Sequence, residues 1–571
     1  MLRKNWIDEF SPQNALEIER NISQYHRAKG SEGYSKAVEA IRKVIGDSKV
    51  LKYPAGKDYE GWKTPVGWNL KGGFLKVNGK YIVADLSLSP ISAIFMSGAT
   101  NGIEKLPLVD VGTGENVEDY EGKEVSGKAV LASGDISRVY DLAVEKFGAK
   151  CVLSSFMRFH VESIGRIPEL LPNSVNYTSF PAYANGKAFG FALNYGQYKW
   201  IKSLFKNGKV EIEASIDADR GNDMLEVIEA CFGKSSSKKP LVMMAHLCHP
   251  RPGANDNASG SALLAELVRV LKKVGIDREV VALWIPEMYG TMAYLEDHKA
   301  DFELGINLDM VGEDQTKTGS ILQVSSSPWS LPSFINDVVY ANLQTHEFRM
   351  MTGKYSGGSD HFIFTDATIG VPTTSLTQFP DRFYHTSEDT PDKSSVKSFE
   401  WIGKGVLNSL FDLTYDFSKS TAVKAQANIA KEFVENYTNN EDSLTKKWIA
   451  YMAYKKMEDL SEYTNVEELK KMLEPFIEDA KSMEKFPQHL RKIKGPVQDV
   501  WMNAEDREWF FKLTRRAPGF RDFRYELLNF MELGFSFDEA FELSKNEFEI
   551  SQEIFEDAKY YVKRLSEEKI I

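Results

Sequence analysis

The chain has 571 residues, 42% of them hydrophobic and 12% aromatic, and a formal net charge of −12 at pH 7. That length exceeds what one hydrophobic core organises, so about two to four domains are expected, and the aromatic content excludes general disorder. The acidic balance argues against nucleic acid as a partner, which needs a basic face, and no apolar run reaches the roughly 20 residues of a membrane span.

Residues 11–46 have apolar positions at three- and four-residue steps and read as helical, with Gly46 closing the second helix. From 63 to about 215 short β-rich runs alternate with turns: KYIVADLSL (80–88), GKAVLASGD (127–135) and AKCVLSSF (149–156). One helical segment, ISRVYDLAVEKFGA, lies between two of them, and SLFKNGKVEIEASIDA (203–218) reads as a strand-like exit. SSSKKP (235–240) then leads into strand–turn–helix repeats: KPLVMMAHL, SGSALLAELVRVLKKVG, REVVALWIPE and GINLDMVG. This alternation predicts an α/β domain with a buried sheet. Residues 421–571 are charged, aromatic-rich and helical, and their end has helix–turn–helix spacing that resembles a winged-helix-like module. Acidic residues outnumber basic ones there, so packing or oligomerisation is expected rather than DNA binding. The expected divisions are 1–75 (helical), 76–215 (β-rich), 216–420 (α/β) and 421–571 (helical).

Cys151, Cys231 and Cys248 are too few and too widely spaced for a disulfide framework. MLRKNWIDEF has charge with no apolar run behind it, so no secretory leader is expected. Both point to the cytoplasm.

Chemistry-bearing residues gather where strands should end, as they do in open α/β sheets. His246 closes VMMAHL, with Asp256 ten residues on in GANDNASG. Glu287 closes VVALWIPE, Asp309 follows GINL, and His385 sits in FYHTSEDTPD. Singly, an aspartate at such a place caps a helix and a histidine is a satisfied core residue. Together, two imidazoles and three carboxylates after apolar strands are costly to bury unless they are paired or bind metal. They are the donor set of a zinc site, sufficient for two ions if one carboxylate bridges.

HLCHP…GANDNASG, PE before GTMAYL, NLDMVG, SDHFIF and YHTSEDT resemble, in that order, the co-catalytic zinc aminopeptidase family. That family includes bacterial leucyl aminopeptidases, glutamate carboxypeptidases and glutaminyl cyclases. The H-x-C-H-P form and WNLK (68–71) are most similar to a divergent aminopeptidase-like branch. The unit around VSGKAVLASGD resembles an inserted protease-associated domain. The resemblance implies a mixed sheet flanked by helices, with the β-rich insert capping the cleft against folded substrates and a helical C-terminal region. It implies His246 and Asp309 on one zinc, Asp256 bridging, and Glu287 with His385 on the other. Tyr384 matches an oxyanion-stabilising position, Asp360 and His361 a pocket-lining segment, and Asp389 a partner of His385. The implied activity is hydrolysis of the N-terminal peptide bond of peptides by a zinc-activated water. Cobalt or manganese also suits such donors, and homo-oligomers fit the architecture.

Two departures stand out. The family has adjacent glutamates at the second strand end, a base and then a ligand, where this chain has Pro286-Glu287. Glu287 fills one role and leaves the other open; the strand register favours the ligand. Cys248 stands where an aspartate is usual, as a thiolate ligand or a neutral residue. His249 beside it is a candidate base, since imidazole titrates near neutral pH, and also a rival ligand to His246. One metal rather than two, a metal-binding scaffold without hydrolysis, and a hydrolase of another amide all stay open.

Overall fold

Leu241–His246 and Val280–Ile285 are buried at every position. Strands with no polar face need cover on both sides, and parallel sheets provide it. In the computed structural model, which describes residues 2–221, 223–415 and 417–571, these two strands pair in parallel at the centre of an eight-stranded sheet. Leu304–Leu308 and Thr373–Gln378 continue the parallel run on one side. Met224–Phe232 and Lys49–Pro54 add antiparallel on the other.

Alternate residues of the central strands face opposite layers. Met243, Ala245, Ala282 and Trp284 pack with Leu263, Leu267 and Val270 of the helix Gly260–Val274. Val242, Met244, Val281 and Leu283 pack with Met292 and Leu295 of the helix Tyr289–Asp297. The Trp284 indole also donates to the Ser261 carbonyl at 2.9 Å, which ties helix to strand.

The N-terminal part is less uniformly helical than expected. Leu2–Glu9 precedes Pro12–Ile22 and Glu32–Ile45, so Gly46 caps a third helix, and Lys49–Pro54 is an edge strand of the main sheet.

A second, seven-stranded sheet draws on residues from Gly67 to Gly221, wider than 76–215. Gly67–Val77 pairs along most of its length with Val210–Gly221, which pulls both ends of the insert into one ladder. The expected exit strand over 203–218 is helical at first. An Asn194–Gln197 capping box starts Tyr195–Leu204, and the strand begins only at Val210.

The C-terminal helices are not a separate body. Phe433, Trp448, Phe523 and Leu565 belong to the same apolar cluster as Leu241, Trp284 and Leu308. Phe520–Glu532 and Phe537–Phe548 do form a helix–turn–helix pair, but among the described residues no strand follows Thr373–Gln378. The wing of a winged helix is therefore missing. The next residues bury Ala558, Tyr561 and Leu565 at helical spacing in Phe555–Glu567.

Candidate active site

The parallel strands deliver their ends to one place. His246 is the last residue of its strand, Asp309 directly follows Leu308, and Glu287 lies two residues past Ile285. Asp256 stands in the turn Ala254–Ser259 that opens the helix over the sheet. His385 comes from the loop after Thr373–Gln378.

Asp256 is the common point. Its Oδ1 lies 3.2 Å from His246 Nε2, and its Oδ2 lies 2.9 Å from His385 Nε2 and 3.5 Å from His249 Nε2. Asp309 Oδ1 is 3.3 Å from His246 Nε2. Two donor triads result, His246–Asp256–Asp309 and His249–Asp256–His385, with donor atoms within 4.8 Å of one another in each. Glu287 groups instead with His246 and Cys248. The sequence expectation had joined Glu287 to His385; the donor group that contains His385 is completed by His249 and Asp256.

Backbone carbonyls set the imidazole tautomers. His246 Nδ1 faces the Cys248 carbonyl at 3.1 Å, and His249 Nδ1 faces the Pro250 carbonyl at 2.8 Å. A ring nitrogen facing a carbonyl carries the proton, which leaves Nε2 with a free lone pair for a ligand.

The loop carrying these residues is itself held. The buried Arg27 guanidinium donates to the carbonyls of Leu247 at 2.8 Å and Gly253 at 2.7 Å. Asp389 does not reach His385 in the expected way; its carboxylate accepts from the backbone N–H groups of Asn255 at 2.7 Å and Asp256 at 3.1 Å. Met288, Met310 and His385 all have positive φ (61°, 63° and 55°). Each such residue costs about 1–3 kcal/mol, and such strain collects where side chains must be aimed.

The charge states suit a cation. Burial pushes His249 down to about 3 and lowers His385, so both rings are neutral near pH 7. Burial also works against charge on His246, but Asp309, Glu287 and Asp256 outweigh it and hold that ring well above its usual range. Asp256 stays far below the ordinary carboxylate range because the three histidines overcome its burial. Among the described residues, the buried His249 Nε2 has no hydrogen-bond partner, and the buried Asp309 Oδ1 faces only His246 Nε2. Orphaned lone pairs beside a carboxylate shared by three imidazoles fit one or two divalent metal ions, with a metal replacing the proton on His246.

A cleft of about 810 Å³ opens over these groups. His361 and Tyr384 line it, as the sequence predicts; Asp360 does not, and its carboxylate accepts from Met288 N and the Thr291 hydroxyl, bracing the segment after Glu287. Tyr384 stacks on His385 with ring centroids 3.8 Å apart, and burial keeps its phenol protonated. Two residues escaped the sequence reading. Tyr177, from the second sheet's unit, packs against His249 and His385 at 5.3 and 5.0 Å. Lys29, from the N-terminal segment, donates to the Glu287 carbonyl at 3.1 Å and has its Nζ 4.0 Å from the Glu287 carboxylate. Desolvation lifts Glu287 to about 7, although 28% of its side chain is exposed and His246 and Lys29 pull the other way.

His26 lies under the same loop. Its Nδ1 accepts from Arg251 N at 3.3 Å, and its Nε2 is buried without a partner. Burial, then the charges of Arg27 and Arg251, hold its pKa at about 3 against the usual 6.5. The folded value lies below the unfolded one, so the fold favours the neutral ring. Stability is full above pH 6.5 and falls as the pH drops toward 3, by at most about 1.4 kcal/mol per pH unit. His26→Gln is expected to flatten that acid limb, measured as urea unfolding midpoints at about pH 7, 5 and 4.

Residues 226–410 match the profile of peptidase family M28. Over 191 residues the chain is 28% identical to aminopeptidase YwaD of Bacillus subtilis (strain 168), covering 31% of this chain and 41% of that protein. The match thus spans well under half of that relative. A zinc aminopeptidase structure from Bacillus subtilis superposes with a TM-score of 0.53 at 19% identity, covering 72% of this chain and 97% of the other. A family M28 peptidase precursor from Shewanella amazonensis gives 0.50 at 16% identity, covering 73% and 97%. Both structural likenesses are likenesses of fold.

Proposed function

We propose that the chain, whose residues 226–410 match the profile of peptidase family M28, is a metal-dependent aminopeptidase that removes the N-terminal residue of peptides. The carrying observation is Asp256, shared between two nitrogen/oxygen donor triads at the ends of parallel strands. A divalent metal, zinc before cobalt or manganese for these donors, would supply Lewis acidity toward the scissile carbonyl and water.

The protein's groups do the rest. His246 and Asp309 would hold one ion and His249 and His385 a second, with Asp256 common to both donor sets. Glu287 stays outside the second triad and is left free to take a proton from the attacking water and return it to the leaving amine. Lys29 fixes that glutamate through its carbonyl. The protonated Tyr384 phenol is a donor for the oxyanion that forms at the carbonyl. The unit containing Tyr177 roofs the cleft, which restricts entry to short or unfolded peptides.

The test is metal content per chain beside hydrolysis of aminoacyl-anilides and short peptides. The expected result is up to two zinc ions, release of the N-terminal residue that chelator abolishes, and far slower attack on folded proteins. Metal-replete protein that cleaves no peptide would overturn the proposal.

A further inference from the structure

The loop that carries Tyr384 is held by the second sheet's unit on both sides of that residue. After it, Tyr177 N donates to the His385 carbonyl at 2.7 Å and Ser387 N to the Val175 carbonyl at 2.8 Å. Before it, the Arg166 guanidinium donates from Nη1 to the Arg382 carbonyl at 3.1 Å. Tyr384 stands between these anchors.

Arg166 also fixes what packs on the Tyr384 ring. Its Nε donates to the Phe159 carbonyl at 2.9 Å and its Nη2 to the Arg158 carbonyl at 2.9 Å. Phe159 is held at a φ of 58°, and its ring packs against Tyr384 at 6.1 Å and against Phe379 at 5.8 Å, although the residue is 52% exposed. A bulky residue kept at positive φ and half in solvent is not placed for core burial.

Arg166 itself is fully buried, between the strands Cys151–Ser154 and Phe189–Ala192 in sequence, with its Cζ 5.6 Å from the centre of the Tyr384 ring. That is within cation–π range. Burial opposes its charge, and Asp381 and Tyr384 support it. Among the described residues no carboxylate lies within 4.0 Å of it. A buried charge without an ion-pair partner is a costly way to fill space, whereas a planar fork on three carbonyls fixes their relative directions.

We infer that Arg166 and Phe159 are positioning residues for Tyr384, locking its phenol toward the oxyanion that forms at the scissile carbonyl. This rests on the peptidase reading. Neither residue lies in residues 226–410. The second sheet's unit thus does more than roof the cleft: the loop bearing Tyr384 keeps its aim while that unit is docked on it.

The test is a double-mutant cycle on zinc-loaded protein. Tyr384→Phe is expected to lower kcat by about 10²-fold, and Arg166→Gln by about 10–100-fold with little change in KM. In the Tyr384→Phe background Arg166→Gln should cost nothing further, since the group it aims is gone. Phe159→Leu keeps an apolar wall, removes the ring, and should behave in the same way; it carries the test if Arg166→Gln protein does not fold. The same cycle is read without turnover, as calorimetric binding of the phosphonic acid analogue of leucine, a tetrahedral anion. Coupled losses of binding with no peptide hydrolysis by wild type would count against the peptidase reading alone. Losses that multiply independently of Tyr384, changes confined to KM, or an analogue that wild type does not bind would overturn the inference.

Discussion

Replacing Asp256 with asparagine is expected to empty both metal positions and end peptidase activity, while the protein still folds. Asp256 is the one residue common to the two triads, and its carboxylate faces the Nε2 atoms of His246, His249 and His385. Asparagine keeps the volume and the backbone N–H that Asp389 grips, so the turn keeps its support. It removes the negative charge that the two proposed ions would share. Changing an outer partner of a metal ligand already costs about 10–100-fold in affinity, so loss of a shared ligand should exceed about a hundredfold for each ion. His385→Ala is the matched comparison, since it damages one triad and should lower metal content by one ion. Both are read by metal analysis of purified protein beside turnover of an aminoacyl-anilide. An Asp256→Asn protein that retains two ions would show that the carboxylate is not shared.

How much of this site could be read in advance depended on where each residue lies in the chain. His246, Asp309 and Glu287 were legible because a buried parallel strand announces itself as an apolar run and the sheet sends its far end to the ligand. His385 and Asp256 were legible from their motifs. Tyr177 and Lys29 were not, since both reach the cleft from loops, where no hydrophobic period marks which side chain turns inward. Asp389 was seen as a partner of His385, but its carboxylate satisfies N–H groups of the Asp256 turn. Side-chain direction within a loop has no period to reveal it.

The same limit explains the fold-level differences. Amphipathic helices after Lys419 show that they bury a face, not what covers it; the partner is the core of the eight-stranded sheet itself. The Phe520–Glu532 and Phe537–Phe548 pair has helix–turn–helix spacing because two helices joined by a short turn have it whatever they do. The start of the second sheet at Gly67 was hidden because its pairing partner, Val210–Gly221, lies more than a hundred residues away.

Glu287→Gln is expected to slow turnover by about 10²–10⁴-fold with both ions retained, and His249→Ala to lose an ion. The broken glutamate pair at Pro286-Glu287 forces one carboxylate to choose between ligand and base, and the strand register favours the ligand. The folded chain favours the other choice. His249, three residues beyond His246, places an orphaned Nε2 beside Asp256 and His385. Its Nδ1 proton is directed to the Pro250 carbonyl, and its pKa near 3 leaves the lone pair free. A ring so hard to protonate is a poor proton acceptor and a good ligand. Glu287 has the complementary properties: it lies outside that triad, its backbone N–H is held by Cys248 Sγ at 3.2 Å, and its carboxyl titrates near 7. Cys248, in the place of the usual aspartate, accepts the Glu287 backbone N–H and so helps to place that glutamate. Glutamine preserves the size of residue 287 and cannot accept the proton, so kcat should fall with little change in KM. If Glu287→Gln instead loses one ion per chain and His249→Ala keeps both, Glu287 is the ligand and the base returns to His249.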